Sequence, residues 1–282
     1  MREIDVSKII PAVRNLCIDA NYNIGCDVIQ RIEECVKTEE SPVGKEILGQ
    51  ILENDRLAVE KQMPMCQDTG IAVVFLEIGQ DVHVSGGDLY EAINEGVRQG
   101  YKDGYLRKSM VYDPIVERKN TKDNTPAIIH TTIVPGDTLK ITIAPKGGGS
   151  ENMSEVRMMT PSDGIEGVKQ FIVEKVRKAS GNPCPPIVVG IGLGGNFEQS
   201  AMMAKKSLLR PLGERSKEPL WAALELELLE KINKLGIGPM GLGGRTTALD
   251  VHIEAMACHI ASMPVAINIQ CHAARHKTIV LS

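Results

Sequence analysis

The segment Cys66-Gln67-Asp68-Thr69-Gly70 sets a thiol, an amide and a carboxylate at the mouth of an apolar run, 71–79. A packing cysteine wants an apolar pocket, whereas Gln-Asp wants water, a ligand or a metal. Two further thiols share this setting. Cys184 lies in Asn182-Pro183-Cys184-Pro185-Pro186, where the prolines fix the backbone and withdraw amide donors. Cys271 lies where the strand-like run 265–269 turns polar and basic. Strand ends are where α/β proteins present ligand groups, so the three are candidate ligands of one metal centre. Three unrelated cysteines at strand edges would look the same. Cys258, beside His259, reads as a non-ligand. The seven cysteines are odd in number, widely spaced and without a Cys-x-x-Cys, which argues against a disulfide framework, a zinc ribbon or a thioredoxin-like pair.

Three glycine-rich stretches compete for a ligand role. Gly147, Gly148 and Gly149 precede Ser150-Glu151-Asn152, and exposed amides there could form an anion-binding concavity or simply end a hairpin. The stretch lacks the Gly-Lys-Ser/Thr ending of a nucleoside triphosphate loop. Gly190, Gly192 and Gly195 match a dinucleotide fingerprint between a strand and a helix, but the acidic residue expected about 20 positions on falls in helix end and loop. These glycines therefore read as packing residues in a tight turn. The stretch 236–244, leading into Arg245-Thr246-Thr247, fits a ligand crevice or an interface loop equally.

The elements that must position these groups are legible from periodicity. Helices are expected over 6–24, 27–40 and 41–62, the last with Ser41 as cap and Pro42 in its first turn. Cys17, Cys26 and Cys35 recur there at intervals of nine and read as packing residues. Strands follow at 71–79 and 81–84, then a helix from near Asp88. A hairpin is expected within 126–152 around Pro135-Gly136-Asp137, and an amphipathic helix over 162–180 with a Ser162-Asp163 start. A strand at 185–195 leads to a helix capped by Asn196. The helix at 219–236 carries Trp221, Leu224, Leu228, Ile232 and Leu235 on one stripe and stops at Gly236. Two strand-like pieces occupy 246–271. His83, His130 and His252 alternate with apolar neighbours and read as structural, whereas His272, Arg275 and His276 read as a basic tail or interface in preference to groups that tune a metal centre from behind Cys271.

The fold class is thus α/β, with mixed sheets surrounded by helices and a helical N-terminal segment. The whole of 1–282 reads as one mixed α/β unit, with a helical subregion over 1–62 and an α/β region over 63–282. Net charge is −4 with both signs interspersed, which argues against nucleic acid and anionic membrane as partners. No apolar run approaches the roughly 20 residues of a membrane span. The start Met1-Arg2-Glu3 is charged and opens no signal-peptide core, so the expected location is the cytoplasm.

Taken together, the motifs stop looking independent. Cys66-Gln67-Asp68-Thr69-Gly70, Tyr105-Leu106-Arg107, the stretch 147–152, Cys184-Pro185-Pro186, the stretch 190–195, Gly241-Leu242-Gly243-Gly244-Arg245-Thr246-Thr247, Ala257-Cys258-His259 and Cys271 occur in the order of the class I fumarase and L(+)-tartrate dehydratase family, and the chain resembles the iron–sulfur, or alpha, half of that family. The resemblance implies a [4Fe–4S] cluster held by Cys66, Cys184 and Cys271. It would make 1–282 one catalytic unit, with cluster and substrate bound by 63–282. Three thiolates leave one iron open as a Lewis acid, whereas four would close the cluster and suit electron transfer. It further implies Gln67 and Asp68 as substrate contacts, with Asp68 a candidate proton acceptor. Arg107 would clamp a carboxylate, the Gly148 amide would donate to the same anion, and His259 would move a proton.

Single-chain relatives carry a second domain, so the resemblance implies a separate beta subunit completing the site, an alpha2beta2 assembly with alpha–alpha dimerisation, and a small dicarboxylate substrate. Hydration of fumarate to L-malate is the expected reaction, with L(+)-tartrate dehydration as the alternative. A non-catalytic assembly or regulatory subunit retaining the fold is the alternative of another class. The intact set Cys66, Asp68, Arg107, Cys184 and Cys271 argues against it.

Overall fold

A computed structural model describes residues 1–282. The chain opens with β1 (Arg2–Asp5), α1 (Val6–Tyr22), α2 (Cys26–Thr38) and α3 (Pro42–Lys61). It continues with β2 (Ile71–Gly79), β3 (Val82–Ser85), α4 (Leu89–Asp103), β4 (Ile128–Val134), β5 (Leu139–Lys146) and a single turn, α5 (Gly148–Glu151). Next come β6 (Glu155–Met159), α6 (Gly164–Ala179), β7 (Ile187–Gly195), α7 (Phe197–Ser207) and α8 (Pro219–Asn233), and last β8 (Ala248–Cys258), β9 (Met263–Gln270) and β10 (Lys277–Leu281). The α/β class expected from the sequence is the class observed. No helix is long and apolar enough to cross a membrane.

Two compact units emerge, one of Met1–Ile24, Asn54–Gly148 and Arg275–Ser282, the other of Gly25–Glu53 and Gly149–Ala274. In the first, the sheet runs β10-β5-β2-β4, with β2 parallel to β4 and antiparallel to β5. Val74 and Leu76 of β2 and Ile141 and Ile143 of β5 meet Ile9, Val13, Ile93 and Val97 of α1 and α4 in one core. Two helices of this unit are capped by aspartates. Asp88, where a helix is expected to begin, accepts from the Glu91 amide at 2.9 Å, and Asp5 at the end of β1, a cap not singled out in the sequence, accepts from the Ser7 amide at 2.8 Å.

The expected hairpin around Pro135-Gly136-Asp137 is not one. β2 lies between β4 and β5, and the turn instead accepts from the end of β2 and the residues just beyond it: Gly79 N donates to Thr138 O at 2.9 Å and Asp81 N to Gly136 O at 3.0 Å. β2 is apolar along most of its length and buried on both faces, so it takes the sheet interior, while β4, exposed at Thr131, Thr132 and Ile133, takes the edge.

In the second unit the sheet runs β6-β9-β7-β8. Alternation along β7 sends Ile187, Val189 and Ile191 into a core with Phe171, Ile172, Leu224, Leu228 and Ile232 from α6 and α8. On the opposite face Val188 is followed by Gly190 and Gly192. A Cβ on Gly190 would stand 2.1 Å from the Ala204 carbonyl and one on Gly192 2.0 Å from the Ser200 carbonyl, so these residues let α7 lie directly on the sheet. That backbone contact accounts for the glycine pattern without a dinucleotide.

Two local expectations need correction. α6 is preceded by a capping box of Thr160 and Asp163, not capped by Ser162; Pro161 follows the cap where its missing amide costs nothing. Cys26 is exposed at the start of α2, whereas Cys17 and Cys35 are buried. α1 ends at Tyr22 and α2 begins at Cys26, which leaves this thiol at the open first turn of its helix.

Candidate functional site

In the first unit the segment after α3 is tied down before it reaches Cys66. Asn54 Nδ2 donates to the Met65 carbonyl at 2.8 Å, and the Met65 amide donates to the Asn21 carbonyl at 3.0 Å. Cys66 is half-buried, its Sγ 3.5 Å from Gln67 Oε1, and Gln67 is exposed. The Asp68 carboxylate is held at both ends. Oδ1 accepts the Gly70 amide at 3.0 Å and Oδ2 the Gly148 amide at 2.9 Å. The Gly148 amide, expected to face a substrate anion, thus already serves Asp68. Each carboxylate oxygen retains a second acceptor position.

Beneath these side chains, the carbonyls of residues 68 to 70 are all taken by buried donors. Arg275 Nη2 reaches Asp68 O at 2.6 Å. The Tyr101 hydroxyl lies 3.1 Å from Thr69 O and 2.9 Å from Gly70 O, and Asn124 Nδ2 lies 3.2 Å from Gly70 O. Burial pushes the Tyr101 hydroxyl far up from its ordinary range, so it stays a donor. Two links extend this scaffold to the Arg107 segment: Thr69 Oγ1 donates to Arg107 O at 3.1 Å, and Asn124 Oδ1 accepts the Ser109 amide at 2.7 Å. Arg107 itself projects its guanidinium into solvent.

Arg275 overturns the basic-tail reading. It is 3% exposed, and the chain continues from it into β10, which pairs with β5. Its burial, together with the roles of Tyr101, Thr69 and Asn124, escaped the sequence because the carbonyls these side chains serve lie far away along the chain. The one available signal was the β-branched run Thr278-Ile279-Val280, which suits a strand better than a solvated tail.

The second unit carries Cys184, Cys271 and His259. Cys184 sits at φ 54°, in the left-handed region, with its amide on Gly181 O at 3.1 Å. Its carbonyl accepts the His272 amide at 3.3 Å, so the Cys184 loop and the Cys271 segment at the end of β9 adjoin. The Met240 amide donates to Pro185 O at 2.7 Å, which lays the glycine-rich stretch 236–244 against the same loop. Cys184 and Cys271 are half-buried, as is Cys66 in the first unit; the other four cysteines are either buried or exposed. Exposed His259 lies in the turn between β8 and β9, its Nδ1 accepting the Ala261 amide at 3.1 Å. That bond places the proton of a neutral ring on Nε2. Cys258 is exposed, with Sγ on Ser262 O at 3.3 Å. Among the remaining histidines, His83 is exposed, His130 stacks on Phe75 at 5.2 Å, and buried His252 sets Nδ1 3.1 Å from Ser207 O.

No three His, Cys, Asp or Glu side chains converge as a lone metal ion would require. A cubane cluster makes a different demand, because each thiolate binds a different iron and the thiolates stand apart.

The third glycine-rich stretch ends in a nest filled by the protein itself. The carboxylate of Glu39, 2% exposed, accepts the amides of Glu40 (2.9 Å), Ser41 (3.0 Å) and Arg245 (2.9 Å) on Oε1 and that of Thr246 (2.7 Å) on Oε2. Burial alone would raise this carboxyl, but the amides outweigh it and bring it down to about 2 from 4.5. A folded-state value below the unfolded one means stability that is complete above about pH 4.5 and lost as pH falls toward 2. Its size is about 3 kcal/mol. Glu39→Gln is therefore expected to lower stability by that order at pH 7 and to flatten the stability profile between pH 5 and pH 2, read by urea denaturation across that range.

Comparison with known proteins bears on what this arrangement serves. The model of the Fumerase family, described as fumarate hydratase (Fumerase), matches residues 10–280. A Methanocaldococcus jannaschii protein provisionally named L(+)-tartrate dehydratase subunit alpha is 46% identical over 95% of each chain. The L(+)-tartrate dehydratase subunit alpha of Escherichia coli K12 is 32% identical, covering 98% of this chain and 91% of its own. A family match over nearly the whole chain, with relatives this similar at full length, leaves one conclusion: the chain belongs to the Fumerase family of hydro-lyases.

Proposed function

We propose that this chain is the alpha subunit of a two-subunit L(+)-tartrate dehydratase, with a [4Fe–4S] cluster on Cys66, Cys184 and Cys271. The observation that carries the cluster assignment is exposure. Only these three of seven cysteines are half-buried, reachable by a cofactor yet shielded from bulk water. Their donor set fits, since three soft thiolates on separate loops suit an iron–sulfur cluster. The tartrate assignment rests on the names of the relatives. Fumarate hydration, the reaction expected from the sequence, is retained as a second reading because the family's own description names it.

When bound with one iron lacking a thiolate, the cluster supplies a Lewis acid for the departing hydroxyl. The chain's own groups supply the rest. Arg107, exposed and joined to no carboxylate of the chain, binds a substrate carboxylate, and Gln67 donates beside it. Asp68, oriented by the Gly70 and Gly148 amides, accepts the proton from the carbon adjacent to the leaving hydroxyl. His259 returns a proton from Nε2 to the departing oxygen. Residues 1–282 act as one catalytic unit, completed by a beta subunit in an alpha2beta2 assembly in the cytoplasm, where thiols stay reduced.

Anaerobic reconstitution of the alpha chain with its beta partner tests this. Expected are about four iron and four labile sulfide per alpha chain, and higher kcat/KM on L(+)-tartrate than on L-malate. Preference for malate would select the second reading, and absence of cluster would remove the metal assignment.

A further inference from the structure

Arg275 is a buried cation with little bonding. One of its nitrogens serves the Asp68 carbonyl, whereas Nε and Nη1 are enclosed without a hydrogen-bond partner. The charge facing it is Asp55 of α3, itself 3% exposed, with both carboxylate oxygens enclosed and neither in a hydrogen bond of good geometry, the Asn54 amide being the donor beside it. Burial raises the Asp55 carboxyl to about 6 from 3.8, against the pull of the Asn54 amide and the Arg275 charge. A buried charge pair this poorly satisfied contributes little to stability and is often replaceable by apolar residues at no loss. Its retention calls for another reason, and its one good bond points to the backbone of Asp68.

We propose that Arg275, with Asp55 as its counter-charge, is a positioning residue that fixes the Asp68 backbone and, through Thr69, the Arg107 backbone for catalysis. This rests on the reading of Asp68 as the proton acceptor. The bond to the Asp68 carbonyl sets the height of the peptide from which the carboxylate projects. The Thr69 hydroxyl carries the constraint to the Arg107 carbonyl. Arg275 touches neither substrate nor reacting atoms in this role, so its loss acts on kcat through geometry, where a displacement of about 1 Å costs on the order of 100-fold.

The test uses the reconstituted alpha–beta enzyme with Arg275→Met, Arg275→Lys and the double variant Asp55→Asn/Arg275→Met. The double variant removes both charges together, so it folds even where Arg275→Met alone does not. Backbone hydrogen exchange over 66–70 and kcat and KM on L(+)-tartrate, per cluster-loaded site, are the readouts. Expected in the double variant are faster exchange over 66–70 and a kcat drop of about 100-fold, with KM little changed. Arg275→Lys, which keeps a charged donor for the carbonyl, recovers most of both. Unchanged exchange over 66–70 overturns the proposal, as does a variant that loses thermal stability while keeping its kcat, or a lysine that rescues nothing. If wild type turns over no tartrate, the functional reading has failed, and the exchange measurement still decides whether Arg275 holds the Asp68 segment.

Discussion

Cys184→Gly is expected to leave a folded alpha chain that retains neither cluster nor turnover. The backbone at Cys184 lies at φ 54°, a conformation that costs a non-glycine residue about 1–3 kcal/mol. Glycine pays nothing there, although it gives back roughly 0.5–1 kcal/mol through the unfolded chain. On packing grounds the substitution is thus neutral to mildly stabilising, within about 1 kcal/mol. A cysteine kept where glycine is conformationally better indicates that the thiol itself is required. Loss of activity should exceed the roughly 10–100-fold typical when a ligand's hydrogen-bond partner is removed. Iron and sulfide analysis with a thermal melt separates the two effects. Retained cluster would overturn the ligand assignment, and a collapsed melt would mean that the sulfur holds the loop. Cys258→Ser, at an exposed thiol bonded only to Ser262 O, is the matched control and should keep both cluster and stability.

The fold was legible where one period dominates. α8 follows its stripe of Leu224, Leu228 and Ile232, and β7 follows its run of β-branched residues and glycines. Strand order was not legible, because insertion of β2 between β4 and β5 depends on which strand can be buried on both faces. The site divides in the same way. Cys66, Asp68, Arg107 and Cys184 stand in compact motifs whose residue types advertise chemistry. Arg275, Tyr101, Asn124 and Glu39 do not, since each bonds a backbone group distant in sequence, and a backbone carbonyl or amide leaves no mark in composition. Arg275 misled most, because a cationic side chain near a chain end reads as solvated until a buried counter-charge such as Asp55 is known.

Asp68→Asn is the second large effect, and the local bonding predicts its form. Both Asp68 oxygens accept backbone amides, from Gly70 and Gly148, which suits a group with acceptors only. An asparagine can accept at one end but must turn an N–H₂ toward an amide N–H at the other. The lost bond costs about 1–3 kcal/mol of stability, tolerable for a domain of this size. On the proposed roles, loss of the proton acceptor costs far more, with kcat falling about 10²–10⁴-fold while KM changes little, since Arg107 would still hold the carboxylate. Gly148→Ala then separates the two duties of that residue. A Cβ there would meet only Asp68 Oδ2, at 3.9 Å, so the fold and the amide bond to Asp68 both survive. With the amide already committed to Asp68, kcat should stay near wild type. A raised KM in Gly148→Ala would instead mean that substrate approaches this backbone closely, and that the Asp68 bond yields to it on binding.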